Sequence, residues 1–138
     1  MVIYQDTFAS HATQSQKEDQ QKLYPEILYS GQNDRDVYKQ PWPDGEAERL
    51  PLEPSLKLRD HSPTGFSWSG TGSGCAQLAL ALLLDATLDP VKACAFYYEF
   101  KVTMVSGFEK EWMIFRTNIL NWLELMEARD LASRQGKN

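Results

Sequence analysis

The segment from Gly65 to Asp85, GFSWSGTGSGCAQLALALLLD, most constrains what this chain can fold into. A glycine and serine elbow opens directly onto an almost wholly apolar run, and Gly70, Gly72 and Gly74 permit turns and close approaches that side chains would block. Cys75 to Thr87 is built from the strong helix formers Ala and Leu, with Ser73 placed as N-cap and Asp89-Pro90 as the stop. The apolar residues surround the helix axis, so this helix belongs at the centre of a core.

Two further helices are predicted after it. Asp89 as N-cap and Pro90 as N1 begin one that reaches about Ser106, where Gly107 stops it. Along it Val91, Cys94, Ala95, Tyr98, Val102 and Val105 share a face, which is expected to pack on the central helix. Ile119, Leu120, Trp122, Leu123 and Met126 mark the other, with Thr117 as N-cap and Leu131 continuing the face.

The N-terminal half reads differently. SQKEDQQK lacks an apolar stripe, so residues 1–23 are expected to form a flexible polar arm. Ile27 to Ser30 and Asp36 to Lys39 are short β-prone pieces flanking a Gly-Gln-Asn-Asp-Arg turn, a hairpin signal. Pro41, Pro43, Pro51, Pro54 and Pro63 favour extended or turning backbone thereafter, with a third strand within Arg49 to Leu58. The fold class is therefore α+β: a small N-terminal antiparallel hairpin or sheet, then a three-helix cluster around a buried central helix. One domain spans residues 24–131, and 132–138 form a frayed tail.

Composition limits function. Hydrophobic residues make up 42% of the chain and charged ones 24%, which suits a packed core and argues against wholesale disorder. A net charge of -5, with the excess acid before residue 64, argues against a phosphate-tracking nucleic-acid binder. The longest apolar run, Leu78 to Leu84, is far below the roughly 20 residues that span a bilayer, and no signal peptide is visible. Cys75 and Cys94 match no CxxC pair or disulfide framework, which points to a reducing, cytoplasmic setting.

The elbow has the ingredients of an anion site, unhindered amides at the positive end of a helix, at Gly72, Ser73 and Gly74. It nevertheless fails the patterns GxxxxGK[ST], GxGxxG and GxSxG, so its first reading is a packing device. Cys75 in a first helical turn, with His61 and Asp60 as base and orienter, is weighed as a thiol nucleophile and set below a buried small hydrophobe. His11 and His61 form no metal-ligand spacing, and the acidic clusters, such as Asp44 with Glu46 and Glu48, read as solvated loops. PLEP is read as a local spacer rather than a PxxP ligand. Trp68 and Trp122 belong in the core, whereas Trp42, bracketed by Pro41 and Pro43, suits an exposed partner anchor.

His61 to Asp85 resembles an uncharacterised bacterial and phage family whose core reads GFEWGYGGSGPAQLALALL. The similarity is carried by Gly65-Phe66, Trp68, Gly72-Ser73-Gly74 and Ala76 to Leu83. Weaker likeness extends it over about Leu28 to Leu123, and Ser69, Gly70, Thr71 and Cys75 depart from the pattern. The family brings no assigned activity. It implies Pro at the position of Cys75, which suits a helix start and argues against thiol chemistry.

The favoured function is a small non-enzymatic interaction or accessory protein, with no catalytic residues, metal or cofactor expected. A protein partner is expected, and oligomeric state is open at this level. Two alternatives stand beside it: an anion or small-ligand domain using the GTGSG elbow, and a mobile-element inhibitor with an acidic surface.

Overall fold

A computed structural model of the chain describes residues 2–3 and 25–135. Five strands form one sheet: β1 (Val2–Ile3), β2 (Ile27–Gln32), β3 (Asp36–Pro41), β4 (Glu48–Arg49) and β5 (Trp112–Phe115). Their order is β1-β5-β2-β3-β4, with β1 parallel to β5 and every other pair antiparallel. The helices are α1 (Glu53–Leu58), α2 (Ser73–Thr87), α3 (Pro90–Thr103) and α4 (Arg116–Gln135), with a 3-10 turn at Val105–Gly107. The architecture is α+β, an N-terminal sheet followed by a helical cluster in which α2 touches α1, α3 and α4.

The expected hairpin is β2–β3. Asn33 and Asp34 both take positive φ, as a type I′ turn requires, and Arg35 N–H returns to Gln32 O. Strand β5 was not foreseen, because four residues before a helix carry too little alternation to stand out. It lies between β1 and β2, so the sheet is completed from the far end of the sequence. Val2–Ile3 pairs with it in a stretch assigned above to a polar arm, and the rest of that arm lies outside the described residues.

Four local expectations are corrected. The third strand is only Glu48–Arg49, and the chain then turns into α1, where Pro54 sits in the first turn and sacrifices no hydrogen bond. PLEP is thus the start of a helix. At α2 the N-cap is Gly72, not Ser73, which lies inside the helix. At α4 the helix already begins at Arg116; Thr117 is not its cap, and Glu26, just before β2, bonds the first turn instead. Glu26 Oε2 accepts from Thr117 Oγ1 at 2.6 Å and Oε1 from Thr117 N–H at 3.3 Å, placing a carboxylate at the positive helix end.

The core lies around α2, whose Cys75 to Leu83 and Ala86 are buried on all sides. Trp68 and Trp112 join it edge to face at 5.7 Å, and Phe108 stacks on Trp112 at 4.4 Å. Trp112 indole lies against the backbone of Gly31, its cross-strand partner, where a Cβ would overlap the ring. Asp89 caps α3 as expected, its Oδ1 accepting from Val91 and Lys92 N–H at 3.1 Å. The helix ends at Thr103 rather than near Ser106, and Gly107 closes the 3-10 turn.

Candidate functional site

Of the expected packing face of α3, Val105 is fully buried and Cys94 packs on the core, but the other four residues point outward. Val91 is 80% exposed, Tyr98 63% and Val102 45%, with Ala95 exposed between them and Leu88, 76% exposed, in the turn before the helix. The face against α2 is a second apolar set, with Ala93 and Phe100 buried and Phe96, Tyr97 and Met104 packed on the core. The sequence held both stripes, and the expected face joined four residues of the outward one to Cys94 and Val105 of the packed one. The larger aromatic payload of Phe96, Tyr97 and Phe100 decided the packing.

Between α3 and α4 a cleft of about 510 Å³ runs beside this face, lined by Val91, Ala95 and Leu131 and rimmed by Asp89, Lys92 and Arg134. Lys92 pairs with Glu127 at 3.0 Å and Arg129 with Glu99 at 2.7 Å, so ion pairs tie the two helices together.

At the elbow the chain is fastened on its inner side and open on its outer side. Ser67 N–H donates to Gly74 O at 3.2 Å, Trp68 Nε1 to Lys110 O at 3.2 Å, and Ser69 N–H to Val105 O at 3.2 Å. Ser69, at φ 67°, also donates from Oγ to Phe108 O. A Cβ on Gly74 would overlap Ser67 Oγ, so glycine there permits a close approach. Gly72 and Ser73 are exposed, no side chain caps the first turn, and Lys101 Nζ donates to Thr71 O at 3.3 Å.

Cys75 and His61 are not brought together as a catalytic pair. Buried Cys75 has its Sγ 3.6 Å from Ser67 Oγ, while His61 Nε2 meets Tyr97 Oη at 3.0 Å. Gln77 holds the His61 loop instead: its Oε1 accepts from His61 N–H at 2.8 Å and Ser62 N–H at 3.0 Å, and its Nε2 donates to Ser55 Oγ at 2.7 Å. Trp42 is 45% exposed and leans edge-on against Phe115 at 5.6 Å. It and the elbow sit at opposite ends of β5, since Trp68 packs on Trp112 and Trp42 on Phe115.

One polar cluster joins residues that the sequence holds far apart. Asp85 on α2 accepts from Tyr29 Oη at 2.7 Å and from Lys39 Nζ at 2.8 Å, and Tyr29 and Lys39 are cross-strand partners. Burial first, and then the Asp85 charge, push the Tyr29 hydroxyl far above the usual phenol range. A neutral phenol held by a carboxylate already paired with lysine is a brace between sheet and helix. Among the described residues no group of three or more His, Cys, Asp and Glu is placed to hold a metal ion. None of the described helices is long and apolar enough to cross a membrane.

The family of unknown function DUF6166 matches residues 29–125, well over half of the chain. The chain belongs to DUF6166. The match runs from within β2 to the middle of α4, so it takes in the elbow, the buried α2 and the outward face of α3 in this DUF6166 protein. No curated protein and no solved structure matches it.

Proposed function

We propose that this DUF6166 chain is a non-enzymatic protein-interaction module whose contact surface is the outer face of α3. The observation that carries the reading is the row of Val91, Ala95, Tyr98 and Val102, all exposed, on a helix whose other side is already packed, with Leu88 exposed in the turn before it. A helix with apolar residues on two opposite faces is best satisfied when both are covered, and a contiguous exposed apolar row marks a contact surface. Trp42, exposed beside Phe115, is a second candidate anchor. Two unbridged cysteines suit a reducing compartment such as the cytoplasm. Affinity capture from the native host tests the reading: a partner held by wild type should be lost with Val91→Glu and Tyr98→Glu. Equal retention by the variants would end it.

A second reading, anion binding at Gly72, Ser73 and Gly74, is supported by the exposed and uncapped first turn of α2. Open space surrounds a Cβ at Gly72, and its φ of -73° and ψ of -175° suit a capping side chain. Gly72→Asp should therefore stabilise the helix by about 0.5–1 kcal/mol while repelling anions. Inorganic phosphate that raises the melting temperature of wild type and not of the variant supports the site. No shift with wild type removes it.

A further inference from the structure

The spacing of the α3 row selects what covers it. Val91, Ala95, Tyr98 and Val102 stand four, three and four residues apart. Alternating threes and fours give the 3.5-residue period by which one helix keeps a single line of side chains against another helix. Ala93 and Phe100, on the opposite side of that period, are fully buried, so the row is centred on solvent.

We infer that the occupant is α3 of a second copy of this chain, packed antiparallel about a two-fold axis; this rests on the outer face of α3 being an interaction surface. Antiparallel packing sets Ala95 of one copy against Tyr98 of the other, and Val91 against Val102. The smallest side chain of the row then receives the largest, twice by symmetry. Parallel packing would stack Tyr98 on Tyr98 and leave a gap at Ala95. Charge points the same way. Lys92 and Glu99 flank the row on one side, seven residues apart. Antiparallel helices bring Lys92 of each copy towards Glu99 of the other, whereas parallel helices would set this flank against the Cys94 and Lys101 flank of the partner and leave Lys92 without an acid across the seam. Each is already paired within its own chain, Lys92 with Glu127 and Glu99 with Arg129, so the approach of a second copy joins these pairs into one network along the rim supplied by α4. On the other flank Lys101 Nζ lies 4.6 Å from the Tyr98 ring centroid, holding the aromatic edge of the seam.

The test is the mass of the purified full chain in solution, by light scattering and sedimentation from low micromolar to submillimolar concentration. The expected result is a species of twice 15.8 kDa. Val91→Glu and Tyr98→Glu, both at exposed positions, should each raise its dissociation constant about tenfold or more with an unchanged circular dichroism spectrum. Orientation is read by mixing Ala95→Cys chains with Tyr98→Cys chains in a Cys94→Ser background. A disulfide between the two different chains supports the antiparallel seam, and preferential self-crosslinking of Ala95→Cys overturns it. A wild-type chain that stays monomeric throughout, or a dimer indifferent to both glutamates, also overturns the pairing. Monomeric wild type that still loses a host partner in those variants would sink the self-pairing and leave the interaction surface standing. If either glutamate variant fails to fold, the wild-type mass and the crosslinking pattern decide.

Discussion

Tyr29 and Asp85 lock the sheet to the central helix through a 2.7 Å hydrogen bond from a fully buried phenol to a carboxylate that Lys39 holds from the other side. Removing the hydroxyl with Tyr29→Phe should cost about 1.5–3 kcal/mol, the usual worth of a hydrogen bond to a charged group. The same bond predicts an alkaline signature. Below about pH 10 tyrosine is protonated both folded and unfolded, and the brace contributes fully. Above that the unfolded chain loses a proton that folded Tyr29 retains, because its ionisation is pushed far upward by burial and by Asp85. Stability should therefore fall by about 1.4 kcal/mol per pH unit from this residue alone. Urea unfolding on both sides of pH 10 checks it: wild type should lose one proton's worth of slope more than Tyr29→Phe. Parallel profiles would remove Tyr29 as the source.

Gly31 is where the sheet makes room for its largest side chain. Trp112 is held on the Gly31 backbone by Phe108 stacked at 4.4 Å and Trp68 edge-on at 5.7 Å, and a Cβ at position 31 would overlap the indole. Gly31→Ala should destabilise by about 2–4 kcal/mol, since a buried ring with neighbours on two sides can move only by disturbing them. Gly70→Ala, where a Cβ meets nothing within 4 Å, should cost less than about 1 kcal/mol. Thermal unfolding of the two variants checks the contrast, and similar losses would mean that Trp112 can be displaced.

How far the sequence disclosed these features depended on range. The buried α2 was legible because Cys75 to Thr87 is apolar on every side, and the α3 cap because Asp89-Pro90 is a local signal. The hairpin was legible from its turn. Strand β5 was not, for its strand character comes from pairing with β2, more than eighty residues away. The Tyr29, Lys39 and Asp85 brace needed both sheet register and helix placement, neither of which spacing encodes. The direction of α3 was misread for a different reason: with apolar residues on both sides, the helix carries no amphipathic contrast to orient it. Gln77 was hidden inside the apolar run, where a lone amide looks like an interruption and is the anchor of a loop.

Gln77 predicts a local failure as well as a global one. It is fully buried and uses Oε1 for two backbone amides and Nε2 for Ser55 Oγ. Gln77→Leu keeps the volume and strips three hydrogen bonds, leaving buried donors unpaired at about 1–3 kcal/mol each where water cannot reach them. We expect an overall loss of about 3 kcal/mol or more, accompanied by faster hydrogen exchange at His61 and Ser62. Gln77→Glu keeps an acceptor for both amides and should protect them better than leucine does. Unchanged exchange at both amides in Gln77→Leu would show that the loop is held elsewhere.

Leu88 sets stability against contact. It ends α2 in the left-handed region at φ 56°, with its N–H on Leu84 O at 2.7 Å, a position that favours glycine, yet its side chain is 76% exposed. The left-handed conformation costs an L-residue about 1–2 kcal/mol, and glycine returns about 0.5–1 kcal/mol of that as added freedom in the unfolded chain. Leu88→Gly should therefore leave the fold between unchanged and about 1 kcal/mol more stable. The same change removes an exposed apolar side chain from the turn that leads into α3, so any contact that takes in this turn should weaken. Urea unfolding at concentrations low enough to keep the chain monomeric, set beside the mass distribution at high concentration, separates the two effects. A variant that unfolds more readily under the first condition would assign the side chain to packing within the chain rather than to a surface it presents.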